Sequence, residues 1–101
     1  MVEVIWTNQS INDIDSIAEF IANDSEKYAT IQVQRFFEAT EILTVAPFAG
    51  RIVPEVQDEN LREIIVGFYR IIYLIASKNK IEVLTVHHSK RLLENNPVFK
   101  K

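Results

Sequence analysis

The sequence predicts an α+β domain with the element order β-α-α-β-β-β, in which a helical hairpin packs on one face of an antiparallel-rich sheet. Three observations predict this class. The chain opens on a short alternating run, two apolar stripes with helical spacing follow, and three β-branched and aromatic runs joined by tight turns lie between residues 61 and 88. A chain of 101 residues fits a single domain, 1–101, with a core of its own.

The first half of the chain is predicted to hold one strand and two helices. Val2–Trp6 alternates in character and is typical of a strand. Ser10, with Asp13 three residues later, predicts a capping box at the start of the first helix. Asn23-Asp24-Ser25 interrupts this helix and can cap a second helix that runs to about Val45. Because few residues join the two helices, we expect an antiparallel pair.

The second half is predicted to be a meander of three strands with two tight turns. Gly67-Phe68 forms the first turn, since glycine readily takes a positive φ, and this places Ile65 opposite Arg70. Centring the second turn on Lys78-Asn79 pairs Ala76 with Ile81 and Arg70 with His87. Beyond the meander, residues 96–101 are expected to form a flexible tail.

Alternation along these strands assigns their side chains to two faces. The predicted core face consists of Ile64, Val66, Tyr69, Ile71, Tyr73, Ile75, Leu84 and Val86. The second face consists of Glu63, Ile65, Arg70, Ile72, Leu74, Val83, Thr85 and His87. Since monomers rarely leave such a half-apolar face open, we expect a partner to cover part of it or of the helical hairpin. The candidate partner-binding residues are the apolar Ile65, Ile72, Leu74 and Val83 and the cations Arg62, Lys90 and Arg91.

Composition and charge exclude several classes of protein. The chain has no cysteine, so it can have neither disulfides nor thiolate metal sites. His87 and His88 are neighbours on a strand and point to opposite faces, so we expect no metal and no cofactor. Residues 1–46 carry eight acidic against two basic residues, while residues 77–101 carry six basic against two acidic ones. This asymmetry indicates either a polar, oriented partner surface or a solvated surface on which like charges cluster by chance. The first residues do not have the pattern of a signal peptide, and we expect a cytoplasmic protein.

Arg70 and His87 are the candidate functional residues of the second face. The guanidinium of Arg70 keeps its charge, so within an apolar strand it needs an anionic partner. Glu63, diagonally across the hairpin, could be that partner, or Arg70 could receive an anionic group from a ligand or another protein. His87 could act as a general acid or base, or could be a half-buried polar residue.

The order and spacing of several short motifs carry a resemblance to a known family. They are Gly50-Arg51, Pro54-Glu55, Arg62-Glu63, the strand Gly67–Tyr73, the strand Ile81–His88 and Lys90-Arg91. Together with the N-terminal strand and the helical hairpin, they make the chain similar to the RelE/ParE toxins of type II toxin–antitoxin systems. The resemblance covers essentially the whole chain, and the stretch around Arg51 and Glu55 looks more like the ParE or "plasmid stabilization" side.

The resemblance implies a growth-inhibiting toxin that a co-encoded antitoxin neutralises within a hetero-oligomeric complex. A ParE-like member would inhibit DNA gyrase and would not be an enzyme. The alternative is a RelE-like or YoeB-like endoribonuclease that cleaves mRNA on the ribosome, with His87, Arg70 and Glu63 as its catalytic residues. The absence of a lysine-rich loop in residues 50–61 departs from that nuclease pattern. A third possibility is a member that only binds its antitoxin and acts in operon autoregulation.

Overall fold

A computed structural model describes residues 1–99. Its α-helices and strands, in chain order, are β1 (Glu3–Trp6), α1 (Asn8–Ala22), α2 (Glu26–Ala39), β2 (Arg51–Ile52), β3 (Leu61–Val66), β4 (Tyr69–Ser77) and β5 (Lys80–His88). The sheet has the strand order β1-β5-β4-β3-β2, with β1 parallel to β5 and the other neighbours antiparallel. The predicted α+β class is confirmed, and the two-residue β2 is an addition to the predicted order. Across residues 1–99, neither helix is both long enough and apolar enough to cross a membrane.

The start of α1 differs from the predicted capping box. The N-cap is Thr7, whose Oγ1 accepts a hydrogen bond from the Ser10 amide at 3.2 Å. The same hydroxyl donates to the carbonyl of Val83 at 2.8 Å, so the cap also joins α1 to β5. Ser10 lies within the first turn and donates its hydroxyl to the carbonyl of Thr7. The prediction was wrong because sequence spacing does not reveal this bond to a strand 76 residues away.

The second helix begins as predicted but ends earlier. Ser25 caps α2, its Oγ accepting from the amide of Tyr28 at 3.2 Å. The helix ends at Ala39, and a 3-10 turn, Glu41–Thr44, continues to the point where we expected the helix to end. The hydroxyl of Thr40 bonds back to the carbonyl of Phe37, which competes with continuation of the α-helical pattern.

The first hairpin has the predicted register, with Ile65 opposite Arg70. Gly67 has φ +58, as a tight turn of this kind requires. The second hairpin departs from prediction beside its turn. Ala76 is an extra residue in β4, so that Ile81 pairs with Ile75 and not with Ala76. This is a β-bulge, and it shifts the register by one residue.

A second irregularity in β5 reverses two side chains. Val83 pairs with Tyr73 and Thr85 pairs with Ile72, which leaves Leu84 as the extra residue. Val83 therefore lies in the core beneath the helices, and Leu84 lies on the second face, the reverse of the prediction. The two irregularities offset one another, since each strand gains one residue. For this reason the predicted pairing of Arg70 with His87 is nevertheless correct.

Each face of the sheet is covered by apolar side chains. The main core lies between the sheet and the helical hairpin and consists of Ile14, Phe36, Leu43, Ile71, Tyr73, Ile81, Val83 and Val86. A smaller core on the second face consists of Val53, Leu61, Ile72 and Leu93, with Leu74, Leu84 and Phe99 packed against it. The second face is therefore partly covered by the chain itself.

The C-terminal segment supplies part of that cover. After β5 the chain forms two 3-10 turns, Leu93–Asn95 and Pro97–Phe99. Leu93 belongs to the smaller core, and the buried Asn96 hydrogen-bonds to β5 through its side chain. The expected flexible tail, 96–101, thus begins with a residue whose polar groups are satisfied inside the fold. Lys100 and Lys101 lie outside the described residues.

Candidate functional site

Arg70 on β4 is the centre of a four-residue ionic cluster. Its Nε donates to Glu63 Oε1 at 2.6 Å, while Nη1 and Nη2 donate to the two oxygens of Glu55 at 2.7 and 2.8 Å. The second oxygen of Glu63 accepts from Arg51 Nε at 2.5 Å. Two guanidiniums and two carboxylates therefore neutralise one another. The side chain of Arg70 is only 8% exposed, and its positive charge is balanced by these carboxylates.

The two carboxylates of this cluster differ in their surroundings. Glu63, on β3, has a side chain that is 0% exposed, whereas that of Glu55, on the loop between β2 and β3, is 46% exposed. The hydrogen bonds from Arg70 lower the pKa of Glu55 to about 2, although burial opposes this shift. The same contacts with Glu55 raise the pKa of Arg70 above its usual value. The charges of Glu55 and Arg70 are therefore both present throughout the physiological pH range.

His87 lies opposite Arg70 across β4 and β5 but bonds to other groups. Its Nε2 lies 2.9 Å from the carbonyl oxygen of Arg91, which can only accept, so Nε2 carries the proton. Its Nδ1 then accepts from Asn96 Nδ2 at 3.0 Å. The residue is 5% exposed. Both ring nitrogens of this imidazole are thus engaged by the protein itself.

The bonds of Asn96 continue into a network that joins three parts of the fold. Asn96 Nδ2 also donates to Thr85 Oγ1 at 3.0 Å, and this hydroxyl donates to Asp13 Oδ2 at 2.5 Å. The same carboxylate oxygen accepts from the amide of Val86 at 3.1 Å. Asp13, which the sequence suggested as a capping residue, instead ties α1 to β5, and through Asn96 to the C-terminal segment. Sequence reasoning missed this role because these bonds span 11 to 73 residues.

Two clefts open beside these polar groups. The first cleft, of about 640 Å³, lies between α1, the end of β5 and the C-terminal segment, and the rings of Phe20, Tyr69 and His88 line it. The second cleft, of about 590 Å³, lies between the Glu55 loop and residues 89–94, and Arg70 forms part of its wall. The exposed cations Lys90 and Arg91 line both.

The apolar residues predicted to bind a partner divide into three groups. Ile65 is 48% exposed and is available for contact, and Leu74 is half-buried in the smaller core. Ile72 and Val83 are fully buried, so the prediction that they contact a partner is corrected. Ile72 is buried because the chain itself covers the second face there. Val83 is buried because the irregularity in β5 turns it towards the main core.

The three cations predicted to bind a partner, Arg62, Lys90 and Arg91, lie in two different places. Arg62 donates to the backbone carbonyls of Glu59 and Gly50, and its guanidinium lies 4.9 Å from the centre of the Phe48 ring. It therefore holds the loop before β3. Lys90 lies near the exposed ring of Phe68, at the same end of the sheet as Arg91. Within the part of the chain that the structure describes, no group of three His, Asp or Glu side chains could hold a metal ion.

Comparison with known proteins agrees with this architecture. The sequence profile of a family described as "ParE toxin of type II toxin-antitoxin system, parDE" matches residues 4–93. A chain of the "Chromosomal ParDE TA system from P. aeruginosa" is similar in structure, with a TM-score of 0.71 and 18% sequence identity. That match covers 87% of this chain and 96% of the other. No curated protein sequence gives a significant match. The extent of the profile match establishes that this chain belongs to the ParE toxin family of type II toxin–antitoxin systems.

Proposed function

We propose that this protein inhibits bacterial growth by binding DNA gyrase in the cytoplasm, and that a cognate antitoxin neutralises it. Membership of the ParE toxin family supports the toxin role. Gyrase as the target is the finer proposal, and it requires a binding surface and no proton transfer by the toxin.

The environment of His87 is the observation that favours this mechanism over RNA cleavage. A general acid or base must lie within hydrogen-bond distance, about 2.6–3.2 Å, of the substrate atom with which it exchanges a proton, or must reach that atom through one water. His87 is almost fully buried, and both its nitrogens bond to protein atoms. Arg70 is likewise occupied by Glu63 and Glu55. A nuclease would have to break these bonds before its substrate could bind.

The alternative, a ribosome-dependent endoribonuclease, is favoured by one observation. Arg70 contacts Glu63 directly and lies opposite His87, so the three residues that this activity would use are neighbours on one face. The arrangement would suit cleavage if ribosome binding freed Arg70 and His87.

The exposed apolar side chains indicate where an antitoxin would bind. Phe20, on the first cleft, is 74% exposed, and Phe68 and Leu92 beside the same cleft are also well exposed. We propose that the antitoxin covers this cleft, because large apolar groups around one depression are typical of a protein interface. Hydrogen exchange should show antitoxin-dependent protection in α1 and in residues 86–97. Protection confined to the strand edge around Ile65 would contradict this placement.

Two purified assays test the target. The protein should inhibit supercoiling by gyrase and should leave mRNA intact in a translating extract. His87→Gln should retain growth inhibition within about threefold, like the control His88→Gln on the neighbouring residue, whereas a nuclease losing its general acid or base should lose about 10²–10⁴-fold in rate. A folded His87→Gln protein without toxicity, together with mRNA cleavage by the wild type, would overturn the gyrase proposal.

A further inference from the structure

The second cleft contains a buried cation that is neutralised by a residue of an exposed loop. Arg70 presents Nη1 and Nη2 as a fork, and the two oxygens of Glu55 accept from both at 2.7 and 2.8 Å. Paired contacts of this kind are the geometry in which arginine recognises a planar carboxylate. Lys90 and Arg91 line the same cleft, as does the exposed Glu94, so three cations face two carboxylates there, and Glu55 is the one bound to Arg70.

Glu55 is far easier to displace than the other carboxylate of the cluster. The Glu63 side chain is 0% exposed and also binds Arg51, so it cannot leave without stranding a buried charge. The Glu55 side chain is 46% exposed and lies outside the regular strands, four residues after Arg51. It can rotate into water while Glu63 remains bound to Arg70. Withdrawal of Glu55 would free Nη1 and the N–H of Nη2 that faces Glu55 for another carboxylate, while Nη2 would keep its contact with Glu63 Oε1 at 2.6 Å.

We propose that Glu55 occupies the place of a partner's carboxylate, so that the second cleft is a site for an acidic peptide which the Glu55 loop keeps closed. An incoming aspartate or glutamate side chain would exchange its carboxylate for that of Glu55 on the fork of Arg70. Lys90 and Arg91 would supply the attraction for further acidic residues. The proposal concerns what the cleft binds and is independent of whether gyrase is the target.

The walls of the cleft favour a peptide over a nucleic acid. Val56 and Leu92 are exposed apolar side chains at its rim, and Phe99 lies within it. They offer contact to the apolar residues that accompany acids in a peptide, and a planar fork matches a carboxylate well. Binding of single-stranded nucleic acid commonly uses aromatic rings on which successive bases stack, and Phe99 is the one aromatic residue lining this cleft among residues 1–99.

A change of pH within the physiological range would not open the site. The contact with Arg70 holds the pKa of Glu55 at about 2, so its carboxylate stays charged and stays bound. Opening therefore depends on a competing anion. Only a segment acidic enough to displace the Glu55 carboxylate from Arg70 would bind in the cleft.

The test uses the full-length protein and a hexaglutamate peptide as the probe. Glu55→Gln removes the charge that closes the cleft, and Glu59→Gln is the matched control, because it removes the same charge from an exposed position on the same loop. Binding is followed by NMR through the Nε–H signal of Arg70, at constant ionic strength. We expect Glu55→Gln to bind the peptide at least about tenfold more tightly than wild type and Glu59→Gln, the gain from removing one charged competitor.

Three outcomes would overturn the proposal. One is equal affinity in Glu55→Gln and Glu59→Gln, which would mean that only net charge matters. Another is peptide binding that shifts signals of Lys90 and Arg91 but leaves that of Arg70 unchanged. The third is a gain for a hexauridine oligonucleotide with none for the peptide, which would assign the cleft to phosphate. Thermal unfolding of both variants confirms that each is folded, and Glu55→Ala repeats the test if Glu55→Gln is not.

Discussion

At the scale of single residues, the environment of Arg70 explains most of the chemistry of the second face. A guanidinium inside an apolar strand is stable here because two carboxylates from different segments meet it. The predicted pair with Glu63 is present, and the resemblance had pointed to the neighbouring Arg51 and Glu55 without indicating that they join the pair. Buried charges that are fully matched contribute little net stability, but removing one of them is costly.

Arg70→Met should destabilise the protein by about 3 kcal/mol, at the lower end of the range for breaking a buried pair, because Arg51 still binds Glu63. Arg51→Met is the control, and should cost only about 0–1 kcal/mol, since the Arg51 side chain is largely exposed. Urea unfolding measures both. The double variant Arg70→Met/Glu63→Gln should recover part of the loss by removing the stranded charge. Equal losses for the two single variants would contradict this account.

The lowered pKa of Glu55 predicts a dependence of stability on pH. A carboxylate whose pKa falls from 4.5 to about 2 on folding stabilises the folded state above the unfolded value, and this contribution is lost as the pH falls from about 4.5 to about 2. Glu55→Gln should lack this contribution, so its melting temperature should approach that of wild type as the pH falls through this window. Glu59→Gln, which removes the same charge from an exposed position on the same loop, is the control variant. Parallel curves for wild type and Glu55→Gln would disprove the linkage.

At the scale of elements, the two N-cap side chains differ in the number of elements that they join. Ser25 caps α2 with one bond on an exposed surface, whereas Thr7 caps α1 and also donates to β5. The irregularities in β4 and β5 act at this scale as well, because they decide which face Val83 and Leu84 occupy without altering the pairing of Arg70 and His87. Local signals predicted the elements, and contacts between elements decided their details.

Thr7→Ala should cost more than Ser25→Ala. Loss of an N-cap bond costs about 0.5–2 kcal/mol, and Thr7→Ala additionally leaves the carbonyl of Val83 without its hydroxyl partner. We expect about 2 kcal/mol for Thr7→Ala and about 0.5–1 kcal/mol for Ser25→Ala by chemical denaturation. A larger loss for Ser25→Ala would show that the bond to β5 contributes nothing.

The two glycines should respond to alanine for different reasons. A Cβ at Gly50 would lie 2.6 Å from the carbonyl oxygen of Glu63 and 2.6 Å from the hydroxyl of Tyr73, so the backbone must shift. A Cβ at Gly67 would meet open space, and its cost is the positive φ alone. Gly67→Ala should therefore cost about 1–2 kcal/mol, and Gly50→Ala about 3 kcal/mol or more. Thermal unfolding of the two variants ranks them, and the reverse order would refute the overlap.

At the scale of the whole molecule, the polar network through Asn96 joins the N-terminal half to the last residues of the described chain. Hydrogen bonds join Asp13 on α1 to Thr85 on β5, and Thr85 to Asn96. Asn96 in turn bonds to His87, also on β5. The same segment contributes Leu93 to the smaller core and forms a wall of both clefts. The position of the C-terminal segment and the shape of both proposed binding clefts are therefore coupled.

Asn96→Ala should loosen this segment more than it alters the sheet. It leaves Thr85 and Nδ1 of His87 each short of one bond, a loss of about 1–3 kcal/mol. Hydrogen exchange should then accelerate at the amides of residues 93–99 while those of β4 are much less affected. Asn95→Ala, on an exposed neighbour, is the control and should behave like wild type. Unchanged exchange in Asn96→Ala would mean that apolar packing alone holds the segment.

The sequence by itself determined the α+β class, the helical hairpin, the register of the first hairpin and the resemblance to the family. These depend on periodicity and turn chemistry, which act over a few residues and are therefore visible in the chain. The tertiary structure alone decided the partners of Asp13, the contact of Glu55 with Arg70 and the burial of Ile72 and Val83. Each of these depends on which distant segment arrives beside the residue, and a hydrogen bond or an ion pair is chosen among such neighbours only after the core has packed.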